Sequence, residues 1–305
     1  MRNDFTYEGL FYPDRRPVFD GADAMPSFDD HNRDYSLVNA WWLANACQLA
    51  YCQDCDVEQT LEGIGWHLAT CFSGECTQGY LATGPGFGVL VFRGTEIEAL
   101  PDILADADFQ LCQFQEIAQV HQGFRDALDE VWVEVERALD ELAAQGVPAW
   151  YTGYSLGAAM AALAAARRPP VALYTFGSPR VGDEAFTRLL RQVPTHRFVN
   201  CTDIVTTVPP PPLGYWHFGR QHFITDDGRL MHDPESWHVA RRRLAGQWHY
   251  LRGLHWLPRG NVKSRPLADH AIVNYTAGIR HGLDRTRLAG LPHPLAWAQG
   301  LMSRS

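Results

Sequence analysis

The sequence predicts an α/β fold, with a mostly parallel central sheet and helices on both faces. Between Ala149 and Asn200, strand-like runs at 149–152, 171–176 and 197–200 alternate with helical stretches at 156–166 and 184–191. Strands joined through helices run parallel, and the helices cover the faces of the sheet they form. No repeat, low-complexity tract or linker interrupts the 305 residues, so the chain reads as one domain spanning 1–305.

Taken in order, residues 1–33 mix Asp, Pro and aromatics without a period and read as an irregular arm on the surface. From Ser36 to Tyr51, the residues Leu37, Trp41 and Leu49 recur at helical spacing behind a serine cap, and a shorter helix fits 57–64. Strands are expected at 66–72, 78–82 and 88–92, the last ending abruptly at Arg93-Gly94-Thr95. One long helix is expected from Phe124 to Gln145, its apolar face running from Phe124 through Leu128, Val131, Val135 and Leu139 to Leu142. Gly146-Val147-Pro148 stops it. The stretch 233–253 opens on Asp233-Pro234-Glu235, a good helix start, and reads as an amphipathic insert. Its stripe of Trp237, Leu244, Trp248 and Leu251 is expected to pack against the domain, with a membrane or partner as the alternative.

A formal charge of −9 argues against a nucleic-acid partner. No apolar run near the first residues resembles a signal peptide, and none reaches the roughly 18 residues of a membrane span. That pattern points to the cytoplasm, or to secretion by a route without a signal peptide. Lys263 is the only lysine, a bias that suggests bacterial coding DNA. Of seven cysteines, Cys52, Cys55, Cys71 and Cys76 cluster. Reduced thiols are the plain reading. Zinc and a disulfide are the alternatives, although the second pair is spaced too widely for an ordinary zinc site.

The chemistry centres on Gly153-Tyr154-Ser155-Leu156-Gly157, between an apolar strand and an alanine-rich helix. A serine on such a tight turn is lifted to the carboxyl edge of the sheet, above a helix N-terminus that favours negative charge. The two glycines give it room. The alternative is a serine that merely caps a helix. A serine hydroxyl also needs a base, and the base an orienting carboxylate, in the chain order Ser, acid, His. Asp203 follows the strand 197–200 at the same sheet edge, whereas Asp183 reads as an N-cap of the next helix. Nine histidines follow Asp203; His270, on a short loop before an apolar segment, is the first among several candidates.

An ordered series of segments resembles the class 3, fungal-lipase-like family of α/β-hydrolases: 89–95, 120–124, 153–157, 175–183, 198–210, 215–219 and Asp269-His270. The resemblance implies Ser155, Asp203 and His270 as the catalytic triad. It also implies the backbone amides of Thr95 and Leu156 as the oxyanion hole, the Thr95 hydroxyl adding a third donor. It places a lid at 96–108, with Ile97, Leu100, Ile103 and Leu104 on its apolar face. Tyr154 departs from the histidine usual at that position, which implies an altered pocket wall. The activity implied is carboxylic-ester hydrolysis through an acyl-enzyme, most directly of triacylglycerols at a lipid interface, with no cofactor or metal. Phospholipase A1 or short-chain esterase activity is the alternative within the class. A non-catalytic hydrolase-fold binding protein is the alternative outside it.

Overall fold

The computed structural model describes residues 4–52, 56–75, 77–94, 109–253, 262 and 264–288. Ten strands lie among them: β1 (His67–Ser73), β2 (Gln78–Gly84), β3 (Phe87–Arg93), β4 (Leu111–Phe114), β5 (Ala118–His121), β6 (Ala149–Tyr154), β7 (Leu173–Phe176), β8 (Thr195–Asn200), β9 (Arg220–Ile224) and β10 (Leu230–His232). Eight form one sheet in the order β1-β2-β3-β6-β7-β8-β9-β10, while β4 and β5 pair as a separate hairpin. Pairing is parallel from β3 through β9 and antiparallel at both flanks.

Successive side chains of a strand point to opposite faces, and the two cores divide accordingly. Val89, Val91, Trp150, Tyr174 and Phe198 meet α2 (Leu37–Leu49), α10 (Ile272–Leu288) and the N-terminal arm. Leu90, Phe92, Tyr151 and Leu173 meet α4 (Gln122–Asp129), α5 (Trp132–Ala144) and α6 (Leu156–Arg167). Helices on both faces follow from this alternation. In α2 every residue is buried, as expected of a helix pressed between a sheet and a second helix, and the short α3 (Val57–Glu62) follows it.

The course of the chain differs from the sequence expectation in three places. The expected helix 124–145 is two helices, broken at Glu130 and Val131. There the Val131 amide bonds to the Leu128 carbonyl three residues back, and turning at this point keeps the side chains of Leu128 and Val131 buried while Glu130 faces solvent. The arm does not merely wrap the surface. It contains α1 (Tyr7–Phe11) and two short 3₁₀ turns, and it inserts Leu10, Phe19, Met25 and Phe28 into the core. Phe19 and Phe28 pack against Trp66, and Phe28 also meets Phe87 and Trp150. Asp4 and Asn274 exchange hydrogen bonds of 2.7 Å, clamping the arm to the start of α10.

The third difference concerns α8 (Ser236–Gly253). Its aromatic stripe is not packed on the domain: Trp237 is 55% exposed and Leu244 73%. The opposite face docks instead, mostly through polar groups. Arg242 pairs with Asp226, Arg243 bonds to the Cys201 carbonyl and the Thr206 hydroxyl, and the Gly246 carbonyl accepts from Arg265. Those anchors follow β8 and β9, so α8 lies along the carboxyl edge of the sheet. Cys52 is disulfide-bonded, which corrects the reading of reduced thiols; its partner lies outside the described residues. Cys47, Cys71, Cys112 and Cys201 are free thiols. Among the described residues no group of His, Cys, Asp and Glu could hold a metal ion, and no helix is long and apolar enough to cross a membrane.

Candidate active site

Strand β6 ends at Tyr154, and Ser155 turns the chain straight into α6 with φ 58° and ψ −124°. A serine holds so strained a conformation only where its surroundings dictate it. The Ser155 amide donates to the Phe176 carbonyl at 2.9 Å, fixing the turn to β7. Two glycines are obligatory beside it. A Cβ on Gly153 would come within 2.2 Å of the Gly157 carbonyl oxygen, and one on Gly157 within 2.2 Å of that of Phe92. The six alanines between 158 and 165 are wholly buried, so α6 lies close against the sheet.

Asp203 sits in the turn after β8, where its amide bonds to the Asn200 carbonyl. Its carboxylate is fully occupied. Oδ1 accepts from the Val205 amide at 2.9 Å, and Oδ2 accepts from His270 Nδ1 at 2.9 Å and from the Tyr275 hydroxyl. On the other side of the imidazole, Ser155 Oγ stands 2.8 Å from Nε2. With Nδ1–H given to Asp203, Nε2 carries the lone pair that accepts the serine proton. Gly177, at φ +61°, leaves room for this pair, since a Cβ there would stand 3.0 Å from both Asp203 Oδ2 and the His270 ring. All three groups are buried, Ser155 with 1% of its surface exposed.

His270 occupies a three-residue link between α9 (Arg265–Ala268) and α10. Its neighbour Asp269 holds this link to the acid loop. The Asp269 carboxylate accepts from the Thr202 amide and hydroxyl and from Arg265, and its carbonyl accepts from Asn200. Tyr154 holds the link from below by donating its hydroxyl to the His270 carbonyl at 2.7 Å. Its ring is buried among Tyr51, His270 and Tyr275. Tyr154 thus makes a positioning contact with the histidine link. Burial first, and then neighbouring charge including that of Asp203, raises the Tyr154 and Tyr275 hydroxyls well above the usual phenol range. Both remain donors.

Leu156 is the first residue of α6, so helix geometry leaves its amide without an intrahelical acceptor. Gly94 lies against it: a Cβ there would stand 3.0 Å from the Leu156 nitrogen. The Gly94 amide donates to the Tyr51 hydroxyl at 3.1 Å, tying the exit of β3 to the end of α2. Thr95, the other expected donor, and the expected lid at 96–108 lie outside the described residues. Asp183 caps α7 (Glu184–Leu189) by accepting from Phe186, and takes no part in the site. Sequence reasoning missed Tyr51, Asp269 and the tyrosine hydroxyls. Only the adjacency of Asp269 and His270 signalled any of them.

Residues 89–212 match the model of the class 3 lipase family. That matched segment carries both Ser155 and Asp203, and over it the chain resembles the family. A lipase of Rhizomucor miehei is 35% identical over 172 residues, covering 51% of this chain and 45% of that protein. A secreted mono- and diacylglycerol lipase of Fusarium solani is 37% identical over 123 residues, 37% of this chain and 36% of that protein. The chain thus spans less than half the length of these curated family members. Among solved structures, lipase II of Rhizopus niveus superposes with a TM-score of 0.54 at 28% identity, covering 60% of this chain and 78% of that one. The family fold, an α/β-hydrolase, accounts for the central sheet and the turn at Ser155.

Proposed function

We propose that this protein is a serine carboxylic-ester hydrolase of the lipase type. One observation carries the reading: the unbroken hydrogen-bonded line from Ser155 through His270 to Asp203, mounted on a strained turn. Ser155 Oγ attacks the ester carbonyl while His270 Nε2 takes its proton. The developing oxyanion is bound by the Leu156 amide and by the amide of Thr95. Collapse expels the alcohol, protonated by His270, and leaves an acyl-serine. Water activated by the same imidazole then releases the acid. The intact, mutually bonded set argues against a non-catalytic binding protein.

Glycerides are the first substrate class, by analogy with the mono- and diacylglycerol lipase that the chain resembles. A phospholipid is the second, favoured by 38% identity over 96 residues to a chloroplastic phospholipase A(1) of Arabidopsis thaliana, 28% of this chain and 22% of that one. Lipid contact is supported by α8. Trp237, Ala240, Arg241 and Leu244 are exposed along one helical face, and Trp and Arg suit the boundary between headgroups and acyl chains. The Cys52 disulfide suits an oxidising compartment over the cytoplasm.

A fluorophosphonate should label Ser155, and Ser155→Ala should abolish both labelling and hydrolysis while remaining folded. Labelling of another residue would refute the assignment. On long-chain glyceride emulsions, Trp237→Ser with Leu244→Ser should lower activity severalfold, with little effect on a soluble short-chain ester. Equal losses on both substrates would remove α8 from the interface.

A further inference from the structure

Outside the triad, the charge distribution is uneven. Arg180, in the loop after β7, Arg197 on β8 and Arg243 on α8 surround one cavity of about 320 Å³. Among the described residues no carboxylate lines it. The remaining walls are polar at Thr206, His217, Gln221 and Ser236, and apolar at Val199, Pro234, Val239 and Ala240.

Among the described residues no acid pairs with any of the three guanidiniums. Arg180 donates to the carbonyls of Thr207 and Pro209. Arg243 donates to the Cys201 carbonyl and the Thr206 hydroxyl. Arg197, 5% exposed, reaches only the Phe218 carbonyl and the Gln221 amide oxygen, at 3.3 and 3.4 Å. Carbonyls satisfy N–H groups and leave the charge uncompensated. A buried cation without a counter-charge is costly, and here burial, together with Arg180, pulls Arg197 down to about 10. The carboxylate that acts on Arg197 from a distance is Asp233, which is exposed and accepts from the Gln221 amide. In a chain of net charge −9, three arginines around one cavity form a local reversal of sign.

His217 narrows the chemistry. Its Nε2 faces the Thr206 carbonyl at 3.0 Å and so carries the proton. Its Nδ1 is buried without a hydrogen-bond partner. Burial and the three arginines hold the ring neutral, so Nδ1 is an acceptor in need of a donor. A ligand that satisfies this wall brings both an oxyanion and a hydroxyl.

We propose that the Arg180–Arg197–Arg243 cavity binds a phosphate group carried by a small hydroxylated molecule, either free or as a lipid headgroup. Guanidinium forks match phosphate oxygens two at a time, and a hydroxyl donates to His217. Occupation would tie three elements together behind the acid loop, because Arg243 holds Thr206 and Thr206 donates to the Asp203 carbonyl. This site is separate from ester hydrolysis, and its test reads binding without turnover.

The test is calorimetric titration of the full chain with inorganic phosphate, glycerol 3-phosphate and phosphatidylglycerol vesicles, with chloride at matched ionic strength as the control. Saturable binding is expected, glycerol 3-phosphate exceeding inorganic phosphate. Arg180→Gln and Arg243→Gln should each weaken it about tenfold or more, the loss of one charge-assisted contact. Arginine-dependent binding of vesicles alone would identify a headgroup as the source. Because either variant risks misfolding, phenylglyoxal modification of the native chain gives a second measurement: ligand should protect Arg180 and Arg243. Absence of saturable binding for all three probes, or binding and protection indifferent to these arginines, would overturn the proposal.

Discussion

Two buried groups of histidine stand on neighbouring parts of this molecule and are built to opposite ends. His270 is sealed from solvent but faces a carboxylate at 2.9 Å and a hydroxyl at 2.8 Å. His196 and His222 are also buried, on β8 and β9, and form a chain with His232 through contacts of 3.2 and 2.7 Å. Among the described residues the second group has no comparable acid. Asp34 approaches His196 only to 3.8 Å, and the surrounding rings are Tyr35, Tyr174 and Phe198. Burial pushes His196 down to about 4, and burial with its two histidine neighbours pushes His222 down to about 2. Burial alone therefore makes an imidazole inert. A carboxylate on the far nitrogen is what lets a buried imidazole accept a proton during a reaction.

The sharpest way to break this contrast is to remove the carboxylate. Asp203→Asn should keep the fold yet lower kcat by about 10⁴-fold, because the amide no longer holds the productive tautomer. A loss below tenfold would show that His270 works without its partner.

The histidine chain predicts an effect on stability instead. Its pKa values are depressed in the folded state, so the unfolded chain takes up protons first. Stability is therefore complete above about 6.5 and is lost as pH falls from there towards 4. For His196 alone, the change from 6.5 to about 4 corresponds to about 3 kcal/mol. Thermal melts between pH 7.5 and 4.5 should show this slope. His222→Phe should flatten it, at some cost in stability at neutral pH from the unpartnered neighbours. An unchanged slope would locate the acid sensitivity elsewhere.

The smallest effect should come from Tyr154→Phe. It removes the hydroxyl that donates to the His270 carbonyl, for which about 1–3 kcal/mol of stability is expected. The kcat should fall by less than about tenfold, with KM little changed. A larger loss, restored by no conservative residue, would make Tyr154 more than a positioning group.

How far the sequence could be read follows from the kind of signal each part leaves. The parallel core was legible because alternating elements and the glycines at 153 and 157 have few other uses. The order Ser, Asp, His was legible as a set of candidates, since a strand end and a short loop mark positions near one sheet edge. The supports of the site were not. Asp269 acts through Thr202 and Arg265, and Tyr275 through Asp203, and such pairings exist only after strands far apart in sequence become neighbours. The helix break at Val131 was hidden because the apolar period continues across it. The exposed face of α8 misled for a related reason: periodicity shows that apolar residues share a face, but not what covers that face.

The paired hydrogen bonds between Asp4 and Asn274 carry one more consequence. They join the beginning of the chain to the residues directly after His270, across 270 positions. Ser155 and His270 themselves stand 115 residues apart. Contacts of such long range form late, after the loop between them has been closed. During synthesis, then, the serine emerges well before its base, and the base before helix α10 can be clamped by the arm. The bonded set of Ser155, His270 and Asp203 therefore gains its last support only once residue 274 has been made, and removing Asp4 would act at the histidine without touching the pocket.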